Sequence, residues 1–147
     1  MFSIESVMSK ELITALPSES LADARARMQA HQIHHLPIVG DDGQLVGLIT
    51  LTNLLAATDS ILRDQENRIH ANEILIEDVM VTDLATIDEQ AGLRQAALFL
   101  EKHRIGCLPV VTNGELKGII TDTDFVAIAI NLLEQVEDSE PVEEQYG

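Results

Sequence analysis

The chain matches itself. Val7-Met8 reappears as Val79-Met80, an offset of 79 − 7 = 72, and the register then holds across most of the sequence. Leu12, Thr14, Leu21, Ala24, His31, Ile33, Leu36, Pro37 and Val39 fall on Leu84, Thr86, Leu93, Ala96, His103, Ile105, Leu108, Pro109 and Val111. One residue is lost where GDDGQ becomes TNGE, after which Gly43, Leu45, Gly47, Ile49, Thr50 and Thr52 fall on Gly114, Leu116, Gly118, Ile120, Thr121 and Thr123. Shared composition does not place identities in this order, so the chain is a tandem duplication. A copy of about 50–60 residues buries too little surface to be more than marginally stable alone, so the two copies must pack together.

Each copy has the same grammar. In the first, a strand at Ile13 to Leu16 leads through PSES, with Ser18 or Ser20 as N-cap, into a helix carrying Leu21, Ala24 and Met28 at helical spacing and ending near His31. LPIV and LVGLIT read as buried strands joined by the turn GDDG, and a helix runs from Thr52 into the sixties. The second copy predicts a strand at Ala85 to Ile87, a helix from Leu93 to His103, strands CLPVV and ELKGIIT around Asn113-Gly114, and a helix from Thr123 to about Leu133. The expected fold class is α+β: two β-α-β-β-α repeats packed as a pseudo-two-fold pair. Its divisions are residues 1–62, a linker at 63–77, residues 78–133, and an acidic tail at 134–147 expected to be solvated and frayed. Within the linker, Ile74 to Ile76 reads as a strand or a docking segment.

Composition narrows the function. The net charge of −16, from 25 acids against 9 Lys and Arg, opposes broad contact with nucleic acid or anionic lipid but leaves room for a small anionic ligand held locally. Aromatic content of 3%, with no Trp, disfavours base-stacking surfaces. The single Cys107 forms no internal disulfide, nothing at the start resembles a signal segment, and no apolar run is long enough to span a bilayer. A cytoplasmic protein with no membrane insertion is the expectation.

The helix-then-LPIV and helix-then-CLPVV passages, the Gly-led strands GLIT and GIIT, and the T-x-x-N/D steps at Thr50 to Asn53 and Thr121 to Asp124 resemble the CBS domain, which occurs in tandem as the Bateman module. The resemblance covers nearly all of Met8 to Leu133. It implies a pair with two clefts between the repeats, often dimerised into a flat disc, that binds AMP, ADP, ATP, S-adenosylmethionine or a related adenosine ligand. It implies regulation of an attached domain or protein partner and no required cofactor.

The residues suit a nucleoside on physical grounds as well. Asp124 stands at a helix N-terminus, where exposed N–H groups and the helix dipole favour an anion, and a carboxylate there accepts two hydrogen bonds from a vicinal diol. Thr121 adds a hydroxyl, and the N–H groups of Asp122 and Thr123 are expected to be free for a ligand oxygen. The plainer alternative is that Thr121 and Asp124 cap the helix. By resemblance the Asp124 cleft borrows Ile33, His34 and His35, with Thr14 and Ala15 nearby. The cleft led by Thr50 and Asn53 borrows Ile105, Gly106 and Cys107, with Thr86 and Ile87 nearby. Asn53 replaces the family's usual acid and Leu51 replaces Asp122, so this second cleft is expected to be weak or empty. Basic residues are scarce: His34 and His35 face the first cleft's phosphate position, and His103 with Arg104 lies beside the second. AMP or ADP is therefore favoured over ATP.

Other readings of the same residues are poorer. His31, His34 and His35 lack a completing ligand for metal, and His34 and His35, as neighbours on a strand, are expected to point to opposite faces. Cys107 with His103 has no orienting acid or oxyanion loop, so no catalytic residue and no enzyme activity are expected. The remaining alternative is a dimerisation scaffold with empty clefts, assembled through the helices at Leu54 to Leu62 and Phe125 to Leu133.

Overall fold

The computed structural model describes residues 3–63 and 73–139, and its elements follow the duplication. Helix α1 (Ile4–Val7) comes first, then helix α2 (Leu21–His31), strands β1 (His35–Val39) and β2 (Leu45–Thr50), and helix α3 (Leu51–Arg63). After a 3-10 turn at Ile76–Asp78 come strand β3 (Ile87–Asp88), helix α4 (Leu93–His103), strands β4 (Cys107–Thr112) and β5 (Glu115–Thr121), and helix α5 (Asp122–Ser139). The protein is an α+β pair of repeats.

Local chemistry explains the boundaries. Ser20, rather than Ser18, caps α2: its hydroxyl accepts from the Asp23 N–H at 3.1 Å while Asp23 accepts from the Ser20 N–H, a reciprocal capping box. Helices α2 and α4 both end on a left-handed residue, Gln32 and Arg104, which turns the chain into the next strand. Asn113 and Gly114 both take positive φ, the conformation a tight two-residue hairpin needs between β4 and β5.

Three expectations shift. Ile13 to Leu16 is not a strand: Ala15 alone bridges Ile38, donating to the Pro37 carbonyl and accepting from the Val39 N–H. Pro17 lacks an N–H two residues on, so the ladder stops. In the second copy the paired residues are Ile87 and Asp88, against Val110 and Val111 in parallel, rather than Ala85 to Ile87. Helix α5 continues to Ser139, so residues 134–139 are helical rather than frayed, since no Gly or Pro intervenes before Pro141. Residues 140–147 lie outside the described residues, as do 64–72 of the linker.

Two cores result, and they are exchanged at their edges. The first gathers Ala15, Leu21, Ala24, Met28, Leu36, Ile38, Ile49 and Leu54, but is completed by Ile76 from the linker. The second gathers Ile87, Ala96, Leu100, Leu108, Val110 and Ile120, completed by Ile4 and Met8 from the opposite end of the chain. Ile4 and Ile76 are both fully buried and stand 72 residues apart, so each repeat's leading segment closes the other repeat's core.

Backbone bonds fix the exchange. Ser9 pairs with Ile119 through N–H···O bonds of 2.9 and 3.2 Å, and Val81 pairs with Leu48 through two of 2.9 Å. Beside these pairs Gly118 and Gly47 let Met8 and Met80 lie against the strands, where an added Cβ would meet sulfur or backbone below 3.0 Å. Ile74 to Ile76 is a docking segment: the Ile74 carbonyl accepts from Leu21 and the Ile76 N–H donates to Glu19. The hairpin tips also meet, Leu45 donating to Gly114 and Leu116 to Gly43.

Two clefts between the repeats

Where a strand runs directly into a helix, the first turn of the helix faces the other repeat. This happens twice. At β5 into α5, Asp124 Oδ2 accepts from the Thr121 N–H at 2.8 Å and from Thr121 Oγ1 at 3.3 Å. At β2 into α3, Asn53 Oδ1 accepts from the Thr50 N–H at 3.2 Å and from Thr50 Oγ1 at 2.7 Å. The capping role expected as the plainer alternative is therefore real, but each cap uses only part of its side chain. Asp124 keeps one carboxylate oxygen and Asn53 keeps its NH2, neither with a partner among the described residues.

Each cap borders a cleft. The Asp124 cleft encloses about 360 Å³ and is lined by Thr121, Asp122, Thr123, Asp124 and Ile119 from one side and Gln32, Ile33, His34 and His35 from the other, with Ser9. The Asn53 cleft encloses about 330 Å³ and is lined by Leu48, Thr50 and Asn53 against Ile105, Gly106, Cys107 and Pro109, with Val81, Asp83, Leu84, Ala85 and His35. Both volumes fall in the range of roughly 300–1,000 Å³ typical of small-molecule sites.

The profile of the CBS domain matches residues 4–60 and again residues 76–131. The chain belongs to the CBS-domain family. This CBS pair is 31% identical over 137 residues to a CBS domain-containing protein of Dictyostelium discoideum, covering 90% of this chain and 94% of that one. Longer relatives contain the pair as a part: the chain spans 22% of the length of an L-aspartate semialdehyde sulfurtransferase of Methanocaldococcus jannaschii. Among solved structures, a Vibrio cholerae protein named for acetoin utilization, AcuB, superposes with a TM-score of 0.79 at 44% identity, covering 96% of this chain and 99% of that one. A CBS domain pair solved with 5′-methylthioadenosine and S-adenosyl-L-methionine gives a TM-score of 0.76 at 28% identity over 89% of this chain and 98% of that one. CBSX2, solved in complex with AMP, gives 0.76 at 25% over 90% and 98%.

Most expected residues of the CBS pair converge, and four do not. Thr121, Asp122, Asp124, Ile33, His34 and His35 share the first cleft; Thr50, Asn53, Ile105, Gly106 and Cys107 share the second. Thr14 and Ala15 line neither: the Thr14 carbonyl accepts from Arg27, and Ala15 is buried in the first core. Thr86 is exposed and Ile87 is buried in the second core; their place in the second cleft is taken by Asp83, Leu84 and Ala85. His34 and His35 line the same cleft, because β1 begins at His35 and strand alternation does not reach back to His34.

One further expectation is corrected. The N–H groups of Asp122 and Thr123 are not free: the first donates to the Gly106 carbonyl at 3.2 Å and the second to Asp122 Oδ1 at 2.9 Å. Arg104, expected beside the second cleft, shares a neighbouring groove with Ile105 and Gly106, but neither it nor His103 lines the cleft itself. Arg104 is the left-handed cap of α4 and borders a groove between α4 and α5, while His103 packs on Phe99 with ring centroids 4.3 Å apart.

The missed residues Ser9 and Val81 carried a signal. Both follow a methionine of the repeat anchor, at Met8 and Met80, so the matched register already included them.

His35 lines both clefts. Beside it Gly106 leaves a gap in which a Cβ would lie 3.4 Å from His35 Nε2 and 3.8 Å from Asp122 Oδ2. Burial lowers the pKa of His35, reinforced by His34 and opposed by Asp122. Burial also pushes the Cys107 thiol up to about 12, with the carboxylates of Asp122 and Asp124 adding to it.

Proposed function

We infer that this CBS pair is a regulatory sensor that holds an adenosine-type nucleotide in the clefts between its repeats and transmits occupancy to a partner protein. The observation that carries the reading is the Asp124 cleft, where an acceptor oxygen left over from helix capping stands beside the apolar walls of Ile33 and Ile119. That is the arrangement a ribose diol and a purine require. Relatives solved with AMP and with S-adenosylmethionine support the ligand class.

Charge orders the ligands. No Lys or Arg lines either cleft among the described residues, leaving His34 and His35 as the groups able to meet a phosphate. Each added phosphate then lacks a cation, so AMP or ADP is favoured over ATP. The chain acts as a sensor rather than an enzyme: a thiol held near 12 supplies no thiolate for Cys107 to attack with. The site of action on this reading is the cytoplasm; no helix among the described residues is long and apolar enough to cross a membrane.

The molecule works as a homodimer. Helix α5 buries none of its residues within the chain and exposes Val126, Ile130, Leu133 and Val136, each by half or more, and Leu55 of α3 is exposed similarly. Such a stripe is what a second copy would cover. Sedimentation at micromolar concentration is expected to give a dimer, and Ile130→Glu a monomer; a wild-type monomer overturns this part.

A scaffold with empty clefts is the second reading, favoured by the same helix. The adenine absorbance band separates the two readings, because a chain with no Trp and one Tyr contributes little of its own. Nucleotide co-purifying with the protein, or a rise in melting temperature with AMP, is the expected result. At a ligand concentration of 100 times the dissociation constant that rise corresponds to about 2.7 kcal/mol. No band and no shift with AMP, ADP, ATP or S-adenosylmethionine leaves the scaffold.

A further inference from the structure

Beside the two clefts, the groove between α4 and α5 encloses about 430 Å³, more than either of them. Its floor is apolar: Leu100 is buried, and Ala97, Ile105 and Phe125 are half-buried. Its rim carries three exposed charges, Glu101 near the end of α4, Arg104 at its cap and Asp122 at the start of α5. These charges do not answer one another. Glu101 and Arg104 stand three residues apart, the spacing at which helical neighbours meet, yet neither side chain makes a hydrogen bond or ion pair with any described residue. Asp122 commits Oδ1 to the Thr123 N–H and leaves Oδ2 without a partner among the described residues.

The duplication supplies a control. Each of the eight positions lining this groove recurs, at the matched register, in the groove between α2 and α3. There the three charged positions are neutral: Gln29 stands for Glu101, Gln32 for Arg104 and Leu51 for Asp122. The one charge in that first groove, Arg25, stands where the second has Ala97. Gln32 takes φ 53° and Arg104 takes 51°, so the same backbone turn is made with no charge at that place. The apolar floor is kept, with Met28, Ile33 and Leu54 for Leu100, Ile105 and Phe125. The fold therefore needs the floor and does not need the three charges.

We propose that the α4–α5 groove is a binding site for an α-amino acid with a large apolar side chain. Such a ligand carries an ammonium and a carboxylate on one carbon. The carboxylate pairs with Arg104, whose planar guanidinium matches it. The ammonium takes Glu101 and Asp122 Oδ2, and the side chain leaves water against Leu100 and Phe125. A phosphate here would face two carboxylates, and a plain amine would leave Arg104 unanswered. This site goes beyond the nucleotide reading and does not rest on it.

The test titrates the full chain with L-leucine and with L-phenylalanine, followed by amide NMR shifts. Saturable shifts are expected at Gly106 and Phe125, and none at the matched His34 and Leu54. N-acetyl-leucine, which lacks the ammonium, and leucinamide, which lacks the carboxylate, are each expected to bind at least tenfold more weakly than leucine. Arg104→Gln and Glu101→Gln install the residues that the first groove already holds, so both variants keep the fold, which circular dichroism confirms. Each is expected to weaken leucine at least tenfold and to leave AMP binding unchanged. No saturable shift with either amino acid, equal binding of N-acetyl-leucine and leucinamide, or leucine binding that survives Arg104→Gln overturns the proposal. AMP added to the same samples reports on the clefts separately, so failure of this site and failure of the sensor reading are told apart.

Discussion

An Asp124→Ala chain is expected to bind AMP in its cleft about a hundredfold more weakly than the wild type. Hydrogen bonds to a charged group contribute roughly 1.5–3 kcal/mol each when desolvated, and a factor of ten corresponds to about 1.4 kcal/mol. Two bonds from a diol to the free Asp124 oxygen, even at the lower end of that range, give this factor. The substitution also removes the oxygen that accepts from Thr121 at 2.8 Å, a cap whose loss costs about 0.5–2 kcal/mol of stability. Melting curves must therefore accompany the titration. Asn53→Ala removes an equivalent cap but no charge, so AMP affinity at the Asp124 cleft should change by less than about threefold. Calorimetry in which Asn53→Ala abolishes AMP binding while Asp124→Ala retains it would reverse the ranking of the clefts.

The second large effect is on stability. Ile4→Ala and Ile76→Ala each leave a hole in a fully buried position and should cost about 2–5 kcal/mol. At roughly 2–4 °C per kcal/mol for a chain near this size, the melting temperature falls by about 4–20 °C. The form of the transition is the sharper result. Ile4 opens the first matched repeat but fills the second core, and Ile76 opens the second but fills the first. Either substitution should lower one cooperative transition rather than release one repeat alone. Scanning calorimetry that resolves two separate transitions would show that the cores are energetically independent.

Much of this was legible because the duplication gave every residue a second witness. Helix α4 and the strands around Asn113-Gly114 follow from periodicity and a turn dipeptide, and Thr121 with Asp124 from a strand-to-helix step that occurs twice. What was not legible depends on contacts between distant segments. Nothing local in Ile4 or Ile76 says which core each enters; that is set by the Ser9–Ile119 and Val81–Leu48 pairings across the pair. The same pairings bring Ser9 to one cleft and Val81 to the other. Helix starts leave donors unpaired, which predicts free N–H groups at Asp122 and Thr123, but one partner, the Gly106 carbonyl, comes from a loop between α4 and β4. Thr14 and Thr86 occupy matched positions, so the duplication correctly paired them with each other while saying nothing of the cleft.

The exchanged segments also set a timetable. A chain emerging from the ribosome presents Ile4 long before the strand bearing Ile120 exists, so this side chain waits through the making of the whole first repeat and most of the second without its destination. The first repeat, for its part, stays unplugged until Ile76 has been made, well after α3 is complete. Neither half can finish ahead of the other, and β5, which follows the other described strands in the chain, is the one that brings Thr121 into place and leads straight into Asp124. A truncated product ending between the repeats would carry an unsealed first core and a stranded Ile4, so the cell's quality control would meet it as an exposed apolar chain rather than as a half-strength sensor.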